Sequence, residues 1–167
     1  ADNRPPDPRV AEANRLFAAA LTASNRGDYG AALSDWRKTL KLAIAALGPH
    51  HLFVAETYNN MANACMAQRD YTRTLEYLGK VLEIRIAMLG PRHPEVAEMY
   101  NNMAVVCNTR GDYARALEYH GKALAIRLAA FGSRHSFVAL TYNNMASVYE
   151  RQGDYVRAME YYGKALD

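Results

Sequence analysis

The segment "VAETYNNMANACMAQRDYTRTLEYLGKVLEIRIAMLGP", Val54–Pro91, decides how the whole chain reads. In its first part, apolar residues fall at 54, 58, 61, 62 and 65, the spacing of one helix face. Arg69-Asp70 interrupts that pattern. A second apolar stripe then runs through Tyr71, Leu75, Leu78, Leu82, Ile86 and Leu89, and Gly90-Pro91 stops it as helix ends are stopped. The segment therefore predicts two helices joined by a short turn, and no stretch of the chain is a good candidate for a strand.

The same unit recurs. Tyr29, Tyr71, Tyr113 and Tyr155 stand 42 residues apart (71 − 29, 113 − 71 and 155 − 113), each preceded by aspartate. Gly27, Gly111 and Gly153 precede the aspartate in three of the units, and Arg69 stands there in the other. His51, His93 and His135 keep the same period, as do Leu47-Gly48, Leu89-Gly90 and Phe131-Gly132. A lone helical hairpin cannot bury both of its faces, so stacked copies must share one continuous core. The expected organisation is a loose lead over 1–8, with prolines, followed by one domain over 9–167. That domain divides into four repeats at about 9–48, 49–90, 91–132 and 133–167. The last repeat stops inside its second helix, so the array is expected to continue or to be closed by a capping helix.

Composition agrees with a folded interior. Of 167 residues, 50% are hydrophobic and 22% are charged, which is not the balance of a disordered chain. A formal net charge of +3 gives no reason to expect nucleic acid or an anionic membrane as partner. Two cysteines, Cys65 and Cys107, argue against a disulfide scaffold and for a reducing, cytoplasmic setting. Both lie on the core stripe, where a thiol is expected to be buried and inert.

The stretch "YNNMASVYERQGDYVRAMEYYGKAL", Tyr142–Leu166, resembles a tetratricopeptide repeat. The small residues where its helices cross also match: Ala62, Ala104 and Ala146 in first helices, and Ala32, Ala116 and Ala158 in second helices. The period exceeds the usual length of about 34 residues. With "LGPRHPEVAEMYNNMA" and "ALEYHGKALAIR", it is similar to the kinesin light chain subgroup. The resemblance implies an all-α, right-handed superhelical solenoid of antiparallel hairpins, with first helices lining its concave side. It also implies a protein–protein interaction scaffold that holds an extended peptide or a partner helix, as a cargo or cytoskeletal adaptor does. The alternative is a structural assembly module that joins another copy or chain through its ends or convex face.

The repeated asparagines locate the expected groove. Glu56, Asn59 and Asn63 form a stripe rotated roughly 100° from the core residue Tyr58. By the resemblance, this stripe faces the groove. Its equivalents are Glu98, Asn101 and Val105, then Leu140, Asn143 and Ser147. Asn60, Asn102 and Asn144 lie one residue further round, where they either meet a ligand or fix the repeat geometry. An asparagine amide both donates and accepts, so one per repeat pairs with the N–H and C=O of an extended chain whatever its sequence. Phe17 and Leu21, on the same stripe, offer an apolar pocket. No lysine or arginine sits on this stripe to clamp a C-terminal carboxylate, and Glu56 and Glu98 favour a neutral or basic segment instead.

No other chemistry is expected. The chain has no G-x-x-x-x-G-K or H-E-x-x-H pattern, and its repeating polar residues occur once per unit as scaffold positions do. The histidine ladder predicts turns or caps rather than a metal site, because packed helices stand about 8–10 Å apart and cannot share one ion. No cofactor is expected. Arg73, Glu76 and Lys80, with their copies, read as a solvated face. Gly79, Gly121 and Gly163, each inside a helix, either permit a close approach or are neutral.

Overall fold

The computed structural model describes residues 7–166, and among them eight helices follow one another without a strand. They are α1 (Pro8–Asn25), α2 (Tyr29–Leu47), α3 (Leu52–Ala67), α4 (Tyr71–Leu89), α5 (Pro94–Arg110), α6 (Tyr113–Phe131), α7 (Ser136–Arg151) and α8 (Tyr155–Leu166).

Each start is fixed by a side chain that accepts a free N–H of the first turn. Asp28, Asp70, Asp112 and Asp154 cap the even-numbered helices, accepting from the N–H groups of Ala31, Arg73, Arg115 and Arg157 at 3.0–3.3 Å. The histidine ladder caps α3, α5 and α7. Nδ1 of His51, His93 and His135 accepts from the N–H of Phe53, Glu95 and Phe137 at 3.1–3.2 Å. Asp7 caps α1 and Pro8 occupies its first turn, so the expected lead is shorter at this end. The rest of that lead, residues 1–6, lies outside the described residues.

The turns inside the hairpins need a left-handed residue. Gly27, Gly111 and Gly153 supply it at φ 80°, 87° and 79°; Arg69 takes the same place at φ 60°, the one positive φ of a non-glycine among the described residues.

Contacts group the chain into two units, one ending at Ile84 and the other starting at Arg85. In the first unit, α1 packs on α2 and α2 on α3, and Tyr58 of α3 stacks on Tyr77 of α4 with ring centres 6.0 Å apart. Leu33, Trp36, Met61 and Leu78 fill its core. In the second unit, α5 packs on α6, α6 on α7 and α7 on α8. Val96, Met103, Val106 and Val148 lie at its centre. The six crossing alanines are all buried, none more than 2% exposed. A larger side chain there would push helices apart, so their size sets the hairpin spacing. Cys65 and Cys107 are buried in the cores, and burial raises both thiol pKa values, which leaves them poor nucleophiles.

The repeated charges lie at the surface. Lys122 pairs with Glu118 at 2.7 Å and Lys164 with Glu160 at 2.6 Å, whereas Lys80 turns the other way to Glu83 at 3.0 Å. A methyl group added at Gly79, Gly121 or Gly163 would meet nothing within 4 Å, so no close approach within the chain requires those glycines.

Candidate functional site

In the second unit, one open cleft of about 460 Å³ gathers part of the predicted stripe. The first turns of α5 contribute Pro94, Glu95, Glu98, Asn101 and Asn102. Arg127 and Phe131 reach it from the end of α6, and Phe137 and Leu140 from the start of α7. Of the predicted site residues, the cleft thus unites Glu98, Asn101 and Asn102. Asn143, Asn144 and Ser147 lie on α7 outside its lining.

The asparagines are not sealed into helix packing. Asn143 and Asn63 are exposed, and Asn59, Asn101, Asn60, Asn102 and Asn144 are half-buried. Ser147 is half-buried as well. Three of them nonetheless take part in structural hydrogen bonds. Asn144 Nδ2 donates to Asn101 Oδ1 at 2.9 Å, tying α7 to α5. Asn60 Nδ2 donates back to the Glu56 carbonyl of its own helix at 3.0 Å. At Asn101 one acceptor lone pair is therefore already used.

In the first unit, Glu56 is exposed, and Phe17 and Leu21 are half-buried. The Phe17 ring lies against Phe53, with centres 5.2 Å apart, so the apolar patch there includes a residue that the stripe did not name.

Arg127 is the main surprise. The first-helix stripe carries no cation, but this second-helix arginine comes into the cleft while only 7% exposed. Its Nη1 donates to the Phe137 carbonyl at 3.2 Å and to Thr141 Oγ1 at 2.8 Å, and its guanidinium lies 5.5 Å from the centre of the Phe137 ring. Burial lowers its pKa, and the Glu98 carboxylate acts in the opposite sense. Arg85 occupies the same repeat position 42 residues earlier (127 − 85) and pairs with Glu95, the residue that Phe137 replaces one repeat on. Apolar periodicity could not reveal this, because arginine at a buried position looks like a surface residue. The 42-residue recurrence of arginine was the available signal.

Of the apolar wall of the cleft, Leu140 lies on the predicted stripe, whereas Phe131 and Phe137 were missed. Phe131, Phe137 and Leu140 are 36%, 47% and 46% exposed. Phe131 lies edge-on to Phe137 at 5.6 Å and stacks on the cap His135 at 4.4 Å. Exposed aromatic rings rimmed by polar groups are the composition of a contact surface. No group of three or more potential metal-binding side chains is present among the described residues, and no described helix is long and apolar enough to cross a membrane.

A family model described as tetratricopeptide repeat matches residues 9–87, 53–129 and 95–167. No curated protein matches. BtubC (BKLC) from P. vanneervenii is similar in structure, with TM-score 0.79 and 25% identity over 99% of this chain; the chain spans 65% of that protein's length. A kinesin light chain-like protein of Podosopora anserina with nearly identical TPR-like repeats shares the fold at TM-score 0.80 and 18% identity, over 99% of this chain and 77% of that one. The apo form of RapI shares it at TM-score 0.76 and 19% identity, over 95% and 43%. With three overlapping matches that take in all four hairpins, the chain belongs to the tetratricopeptide repeat family.

Proposed function

We propose that this chain is a protein-interaction scaffold that holds an extended peptide or a partner helix against the first-helix stripe of its repeats. One observation carries the reading: in the second unit, half-buried amides and an exposed carboxylate share a cleft with uncovered aromatic side chains. The cleft's size lies within the range of about 300–1,000 Å³ in which proteins take small ligands and side chains. Backbone pairing alone supplies about 0.5–1.5 kcal/mol per bond, so the apolar wall must add to it for useful affinity. The resemblance of its repeats to the kinesin light chain subgroup extends the proposal to an adaptor that links cargo or cytoskeletal parts in the cytoplasm.

The direct test is capture of peptides from a random library by the full chain. Replacing Asn59, Asn101 and Asn143 together should weaken capture while far-ultraviolet circular dichroism stays unchanged. Undiminished capture would place the site elsewhere.

A second reading has its own observation. Val156, Met159 and Leu166 of α8 are 83%, 71% and 89% exposed, an apolar face that suits docking to a further hairpin, copy or chain. Mass that rises with concentration in light scattering would support it, and a constant monomer mass would exclude self-association.

A further inference from the structure

We propose that the second-unit cleft is selective for a peptide segment in which a lysine or arginine stands next to an apolar residue. This rests on the peptide-holding reading above and names the ligand chemistry of that site.

The charge pattern is the starting point. From Arg85 onward, every described acidic side chain but one has a partner. Glu95 pairs with Arg85, Asp112 with Arg115, Glu118 with Lys122, Asp154 with Arg157 and Glu160 with Lys164, while Glu150 accepts from Tyr162. Glu98 alone has neither an ion pair nor a hydrogen bond among the described residues, and it is exposed on the lining of the cleft. Glu56, at the same repeat position in the first unit, is likewise exposed, and among the described residues its carboxylate is unpartnered.

The wall beside Glu98 supplies the other half. Phe137 and Leu140 lie 47% and 46% open to water. Lysine and arginine lay an apolar stem on such surfaces while their heads reach for charge. A neighbouring aliphatic residue would cover Phe131 and complete the contact.

Arg127 raises the opposite case, an acidic ligand. Two facts weigh against it. The guanidinium is 7% exposed, and Nη1 already donates to the Phe137 carbonyl and the Thr141 hydroxyl. An incoming carboxylate would meet the unpaired Glu98 on the same lining. Arg127 therefore acts as a positioning residue: it holds the start of α7, and with it the Phe137 ring, against the end of α6.

The experiment uses the full chain, fluorescently labelled, on a bead-bound library of octapeptides randomised at four central positions. Wild type, Glu98→Gln and Glu98→Lys are screened in parallel, and selected peptides are measured in solution. Enrichment of lysine or arginine beside an aliphatic residue by wild type supports the proposal. Glu98→Gln should then weaken those peptides about fivefold, the upper range for a partly exposed pair. Glu98→Lys should shift selection toward aspartate and glutamate. Enrichment of acidic peptides by wild type would overturn the proposal, as would selection that Glu98→Gln and Glu98→Lys leave unchanged. If peptides are captured without a charge preference, the proposal fails while the peptide-holding reading stands. If no bead is captured, both fail.

Discussion

His120 shows what a single residue contributes at a repeat position. The matching residues in the other hairpins are Trp36, Leu78 and Tyr162, so the site is apolar or aromatic elsewhere. His120 is 1% exposed and its Nδ1 has no hydrogen-bond partner. Burial, with Arg127 adding to it, pushes its pKa down to about 4 from 6.5. The unfolded chain therefore binds the proton more readily than the folded one. Stability from this group is fully present above pH 6.5 and is lost as pH falls toward 4. The expected loss across that window is about 3 kcal/mol. Urea unfolding of wild type and His120→Leu at several pH values checks it; wild type should lose more stability than the variant as pH falls from 6.5 to 4. Arg69 gives a second prediction. A non-glycine at φ 60° is strained by about 1–3 kcal/mol, only partly offset by the lower entropy of an unfolded arginine. Arg69→Gly should raise stability by about 1 kcal/mol, read as a higher denaturation midpoint. Gly121→Ala, where a methyl meets open space inside a helix, should stabilise by about 0.4–1 kcal/mol in the same assay.

At the scale of elements, helix starts and helix crossings carry the fold. Histidine is an uncommon cap, yet it occupies the same place before α3, α5 and α7. Alanine at His51, His93 or His135 should cost about 0.5–2 kcal/mol each. Aspartate should retain the cap and add a favourable charge at the helix start. Thermal melts of the six single variants separate these outcomes. The crossings respond to size instead. Ala116 is 0% exposed, and Ala116→Leu should cost about 1–3 kcal/mol through overpacking while Ala114→Leu, on the exposed side of the same helix, costs little. The Asn144–Asn101 bond belongs here too, since it joins two elements through residues 43 apart in the chain.

Across the molecule, the parts that repeat were legible in the sequence and the parts that differ were not. The eight helices of the described residues, their turns and the buried alanines follow from a 42-residue period combined with apolar spacing, because each copy reports on the others. The capping histidines were legible for the same reason. The stripe asparagines were placed on a solvent-reachable face, but the bond from Asn144 to Asn101 depends on the distance between α5 and α7, which no local pattern encodes. The aromatic wall escaped notice because Phe131 and Phe137 sit at helix ends, where periodicity says little. Arg127 escaped because burial of a charge is decided by tertiary acceptors, here the Phe137 carbonyl and Thr141. That the exposed Asn143 and the half-buried Asn59 and Asn101 serve a ligand is the central proposal. It is tested most directly by titrating one captured peptide into wild type, the Asn59→Ala/Asn101→Ala/Asn143→Ala variant and Asn144→Ala. The last removes the same interhelix bond and serves as the structural control. A loss of at least about tenfold in the triple variant, with Asn144→Ala within about twofold of wild type, is the predicted result. Equal affinity in all three proteins would contradict the claim.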